Sequence, residues 1–138
     1  LSYANILPVC NEVELHPLNT QEKLLTFLHQ NKILPIGYCP LARGADTSSC
    51  PNLMEHPLVR SLSDKYKCSG SQLILSWSIH RGCAVIPKSS NPERLRENFE
   101  CQSLKLEEED VAQISTLNEN VRICGDGIPW LFGNNIFA

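Results

Sequence analysis

Three short apolar runs of strand character, each followed by a stretch with helical spacing, constrain this 138-residue chain more than any other feature. The first, PVCNEVEL (Pro8 to Leu15), alternates as a strand does. NTQEKLLTFLHQNK follows with Leu24, Leu25 and Leu28 at helical spacing, and Asn19 and Glu22 stand at capping-box separation for its start. The second run, ILPIGYCPL (Ile33 to Leu41), ends in the turn-like ARGADTSSCPN. Two consecutive helices are predicted next. EHPLVRSLSDKYK puts Leu58, Val59 and Leu62 on one face, and SGSQLILSWSIHRG opens with Ser69 and Gln72 at capping-box spacing and stops at Gly82. CAVIPKS is the third strand run. NPERLRENF after it reads as a helix with Pro92 in its first turn, and LEEEDVAQISTL as a helix whose acidic start suits the positive end of its dipole. The tail after Asn120 has no clear period.

Strands and helices in this alternation predict an α/β fold with a parallel sheet. Parallel sheets normally bury both faces, and three strands with five helical segments would leave two edges open. The chain therefore reads as part of a larger α/β unit, either as a piece of one or by pairing with a partner. No internal repeat, low-complexity tract or linker divides it, so residues 1–138 form part of one domain.

Several function classes are disfavoured at once. With 42% hydrophobic and 20% charged residues the chain supports a globular core, and a net charge of -3 offers no reason to expect a nucleic acid or an anionic membrane as partner. No apolar run approaches the ~20 residues of a membrane span. The opening LSYANILPV lacks a basic segment and does not read as a signal peptide. Seven cysteines, at 10, 39, 50, 68, 83, 101 and 124, form no CxxC pair, and their odd number leaves at least one unpaired in any disulfide scheme. They read as reduced, intracellular thiols, which makes the cytoplasm the expected location. The histidines at 16, 29, 56 and 80 are likewise isolated, so no metal site is expected.

One segment carries chemistry of its own. In CAVIPKSSNPERLRENF, Lys88, Ser89, Ser90 and Asn91 fall between the carboxyl end of a strand and the amino end of a helix, with Arg94 about one turn further on. Free N–H groups at a helix start favour anions, and Lys88 and Arg94 add full charges, so the segment suits a phosphate. It equally suits a plain helix cap, with Ser90 or Asn91 on the first turn and the cations solvated. No GxGxxG or Walker-type loop decides between the two. Tyr38, at the end of an apolar run, reads locally as a core tyrosine.

The run IPKSSNPERLRENF is similar to the closing cofactor motif of the aldo-keto reductase family. NEVELHP and GYCPLARG stand upstream of it in that family's order and approximate spacing. The resemblance extends from Pro8 to about Cys124 and implies a TIM (β/α)8 barrel of NAD(P)H-dependent oxidoreductases, roughly twice this length, with its site at the carboxyl ends of the strands. The three strands would be the sixth, seventh and eighth. The chain would cover the last three β/α units, the C-terminal helix and the tail.

Carried onto this sequence, the resemblance makes Lys88, Ser89 and Arg94 the group that holds the adenosine 2'-phosphate of NADPH, with Ser90 and Asn91 offering donors beside it. Glu97 and Asn98 match positions at the adenine end. Tyr38 matches the ring that stacks on the nicotinamide, and Cys39 and Leu41 lie along the pyrophosphate. Glu12 departs from the family's usual Gln: a carboxylate can accept from the nicotinamide amide but cannot donate to it. The loop ARGADTSSC is also shorter than the common version. Cys124 matches a cysteine near the active site of some members, or is a buried thiol. Trp130, Phe132 and Phe137 either line an apolar substrate site or pack the tail onto the barrel wall.

The catalytic Asp, Tyr, Lys and His of the family belong to the first half of its barrel, and Asp46, Tyr66, Lys67 and His80 do not match them. The expectation is therefore a monomeric barrel enzyme reducing aldehydes or ketones to alcohols with NADPH. This chain would supply its cofactor-binding half and be inactive alone. The alternative is a non-catalytic nucleotide sensor, or a half-barrel assembled with a partner.

Overall fold

In the computed structural model, which describes residues 1–44 and 52–124, three strands form one parallel sheet in the order β1-β2-β3. They are β1 (Cys10–Glu14), β2 (Leu34–Tyr38) and β3 (Ala84–Val85). Helix α1 (Glu22–Gln30) joins β1 to β2, and α2 (Pro57–Tyr66) and α3 (Gly70–His80) lie between β2 and β3. Helices α4 (Pro92–Glu100) and α5 (Glu108–Ser115) follow β3. The register sets Glu14 opposite Tyr38 and Gly37 opposite Val85, so the carboxyl ends of all three strands lie side by side. A Cβ on Gly37 would come within 3.2 Å of the Leu15 Cβ, so glycine here lets the chain leaving β1 fold closely against β2.

Helix α3 is the centre of the packing. Leu73, Ile74, Leu75 and Trp77 are fully buried. Val59 and Leu62 of α2, Leu18, Leu106 and Ile114 close around α3 into one apolar cluster. Its capping box forms as predicted, with Ser69 Oγ accepting from Gln72 N at 3.2 Å and Gln72 Oε1 accepting from Ser69 N at 3.1 Å. Trp77 Nε1 donates to Val111 O and Ser115 Oγ, which ties α3 to α5. Lys65 Nζ donates to Asp110 Oδ2 at 2.7 Å, Tyr66 donates its phenolic proton to the same carboxylate, and α5 is thereby pinned to α2.

Three expectations need correction. Asn19 and Glu22 form no capping box: α1 starts after Gln21, at φ 55, and has no side-chain cap. Asn19 is engaged instead in the turn after β1, its N donating to His16 O at 2.8 Å and its Nδ2 to Glu14 O at 3.3 Å. The second strand stops at Tyr38 rather than Leu41, because Cys39, Ala42 and Arg43 take left-handed backbone conformations (φ 52, 50 and 62). The third strand is only two residues long.

Both sides of the sheet carry uncovered apolar groups. Tyr3, Ile6, Leu7 and Val9 precede β1, with Ile6 89% exposed. Ile86, Leu95 and Phe99 lie beside β3, where a second cavity of about 610 Å³ opens along Ala84, Val85, Leu95 and Phe99. Among the described residues, no helix is long and apolar enough to cross a membrane. Asp46, Cys50, Trp130, Phe132 and Phe137 lie outside the described residues.

Candidate functional site

The aligned strand ends leave a cleft of about 550 Å³ between the loop after β2, the loop after β3 and the first turns of α4. Seven of the residues singled out from sequence line it: Cys39, Leu41, Lys88, Ser89, Arg94, Glu97 and Asn98. Tyr38, Ser90 and Asn91 do not. Arg43, Met54 and Ser71 do, and sequence reasoning had missed them. Arg43 lay inside the quoted GYCPLARG, but Met54 comes from the turn Leu53–Glu55 before α2 and Ser71 from the first turn of α3, with Ser71 Oγ 3.7 Å from the Met54 sulfur, a juxtaposition for which no local pattern exists.

The charge of the cleft favours an anion. Arg43, Lys88 and Arg94 face one carboxylate, Glu97, and no Asp or Glu among the described residues pairs with any of the three cations. The start of α4 is a cap of the plain kind. Asn91 Oδ1 accepts from Glu93 N at 2.8 Å and Arg94 N at 3.3 Å, Leu95 N donates to Asn91 O at 3.0 Å, and Pro92 has no N–H. Ser89 Oγ accepts from Asn91 N at 3.1 Å. The helix start therefore keeps its own donors occupied, and the side chains of Lys88 and Arg94 are the groups left to meet an anion. Asn91 is therefore the helix cap, and the side chains of Lys88 and Arg94 stand beside it on the cleft.

Tyr38 sits half-buried at the end of β2 and belongs to neither apolar cluster. Burial raises the pKa of its phenol, and the negative charge of Glu14 adds to this. Burial also pushes the Cys39 thiol up to about 11, helped by a hydrogen bond with the Cys124 thiol. Cys124 is half-buried, with Arg43 Nη2 4.0 Å from its sulfur. Glu12 is exposed on β1 and does not line the cleft.

Glu14, also missed, is almost fully buried at the end of β1. Its carboxylate accepts from His16 Nε2 at 3.0 Å, Ile123 N at 2.5 Å and Cys124 N at 3.2 Å. Burial alone would raise its pKa, but these hydrogen bonds outweigh that and hold it below its ordinary value. A signal was available in NEVELHP, where an acid and a histidine two residues apart on a strand end fall on one face. No cluster of three or more His, Cys, Asp or Glu among the described residues could hold a metal ion.

The model of the Aldo/keto reductase family matches residues 2–119. The chain is 44% identical over 119 residues to aldo-keto reductase family 1 member D1 of Oryctolagus cuniculus, covering 83% of this chain and 36% of that protein. It is 38% identical over 145 residues to aldo/keto reductase slr0942 of Synechocystis sp., covering 97% and 44% respectively. With a probable NAD(P)H-dependent D-xylose reductase of Emericella nidulans it shares 36% identity over 129 residues, 88% of this chain and 40% of that one. The chain thus spans less than half the length of these curated relatives.

Proposed function

The chain belongs to the aldo/keto reductase family, and from that premise we propose that it is the cofactor-holding part of a (β/α)8 barrel that reduces aldehydes or ketones to alcohols with NADPH. The observation that supports this most is the cleft itself. It lies at the carboxyl ends of parallel strands, where barrels of this kind carry their sites, and it is lined by three cations that have no carboxylate partner among the described residues.

Its cations and polar side chains suit an anionic dinucleotide. Lys88 and Arg94 would take the 2'-phosphate, Ser89, Ser90 and Asn91 would border it, and Glu97 and Asn98 would meet the adenine end. Cys39 and Leu41 would follow the pyrophosphate, and Tyr38 would offer its ring to the nicotinamide. When bound, the cofactor supplies a hydride to the carbonyl carbon. This chain's residues would bind and orient it, and protonation of the carbonyl oxygen would fall to the remainder of the barrel. The apolar groups beside β1 and β3 are the surfaces against which further β/α units would close the barrel. The six described cysteines are all free, which suits a cytoplasmic enzyme.

The test uses the full-length natural protein with NADPH and 4-nitrobenzaldehyde, following loss of the reduced nicotinamide absorbance. Consumption of NADPH with formation of the alcohol is expected. Binding without consumption would support a nucleotide sensor instead, and failure to bind NADPH would refute both.

A further inference from the structure

The turn that follows β1 holds a distant part of the chain. Glu119 N and Val121 N donate to Leu18 O at 3.2 and 3.0 Å, and Thr20 N donates to Asn118 Oδ1 at 3.0 Å. Ile123 N and Cys124 N then donate to the Glu14 carboxylate. Residues 118–124 therefore run as a strap from the end of α5 to the carboxyl end of the sheet.

Glu14 is the firmest point of that attachment. It is 1% exposed, stands opposite Tyr38 in the register, and is backed by His16, which is 0% exposed. A buried carboxylate is tolerable only when its oxygens are well supplied with donors. Two of its three donors come from the strap. The third is His16 Nε2, and the other ring nitrogen, Nδ1, has no hydrogen-bond partner among the described residues. β1 does not need this side chain for its own pairing, since its backbone is matched to β2 along the strand. What the carboxylate accomplishes is to fix residues 123 and 124.

The place where they are fixed borders the cleft. Arg43 Nη2 lies 4.0 Å from the Cys124 sulfur, and Arg43 and Cys39 both line the cavity. The strap meets the cleft on its β2 side, beside Tyr38, whereas Lys88 and Arg94 come from the β3–α4 side.

We propose that Glu14 is a positioning residue: its carboxylate fixes the strap where it borders the cleft beside Tyr38, with Ile123 packed on the α3 cluster and Cys124 held next to the lining residue Arg43, and so governs binding of the carbonyl substrate rather than of the nucleotide's phosphates. The substrate clause rests on the function proposed above; the attachment of the strap does not.

Glu14→Gln keeps the shape of the side chain but turns an amide toward a backbone donor, and Glu14→Asp keeps the charge on a shorter stem. In the full-length protein, Glu14→Gln should raise the KM for 4-nitrobenzaldehyde by about tenfold, the loss of one charge-assisted hydrogen bond, with kcat and the NADPH Kd within about twofold. Glu14→Asp should recover part of the loss. Hydrogen exchange at the amides of residues 123 and 124 should accelerate by a similar factor of about ten while the amides of α3 stay protected. Unchanged exchange at 123 and 124 would overturn the proposal. An equal loss of NADPH affinity would overturn it too, by making Glu14 a support of the whole cleft. Should the wild-type protein reduce no aldehyde, the functional reading and with it the substrate clause would fall, and exchange would still decide whether Glu14 holds the strap.

Discussion

Replacing Arg94 and Lys88 by methionine in the full-length protein separates an anion site made of side chains from one made of backbone. If the start of α4 offered free N–H groups, a 2'-phosphate would keep part of its binding without the two cations. Those groups are occupied: Glu93 N and Arg94 N point to Asn91 Oδ1, and Leu95 N to Asn91 O. If the proposed function holds, discrimination for NADPH would then rest on Lys88 and Arg94. A charge-assisted hydrogen bond contributes about 1.5 to 3 kcal/mol. Both side chains are exposed, and solvent screening favours the lower figure, about tenfold in Kd for each. The double variant should lose about a hundredfold for NADPH if the two act independently, and stay within about twofold for NADH, which lacks the phosphate. Titration of protein fluorescence with each dinucleotide at two salt concentrations measures this, with the NADPH advantage shrinking at higher salt. Equal losses for both dinucleotides would refute the assignment. An unchanged NADPH affinity would show that the backbone of α4 does hold the anion.

Asn91→Ala removes the cap without removing a cation. It should lower stability by about 1 kcal/mol in denaturant titration, with the preference for NADPH over NADH retained. Asp110 is held below its ordinary pKa by its hydrogen bonds to Lys65 and then Tyr66, and Glu14 is also held below its own. A depressed folded value means that the stability each contributes is fully present above the ordinary carboxylate range and is lost as pH falls through the folded value. Thermal melts should therefore show a steep acid loss in the wild-type protein and a shallower one in Asp110→Asn. Parallel curves would count against the Asp110 contribution.

The parts of this protein written locally in its sequence are those governed by spacing within a turn or two. Leu24, Leu25 and Leu28 at helical intervals, Ser69 and Gln72 three apart, and Pro92 at a helix start each act on neighbours in the chain, and each formed as its pattern required. Lys88, Ser89 and Arg94 were legible for the same reason, since one loop and the first turn of a helix present them together, whereas Glu97 and Asn98 came only from the family resemblance. Asn19 had the same spacing as Ser69 and failed, because the turn after β1 competed for its amide and won. Tertiary structure alone decided that competition. It alone brought Arg43, Met54 and Ser71 to one cavity and set Glu14 beneath backbone groups 109 and 110 residues away. A periodic pattern records which face of an element is apolar. Which distant donor meets a buried carboxylate depends on strand register and on the path of the strap, and these exist only once the sheet has formed.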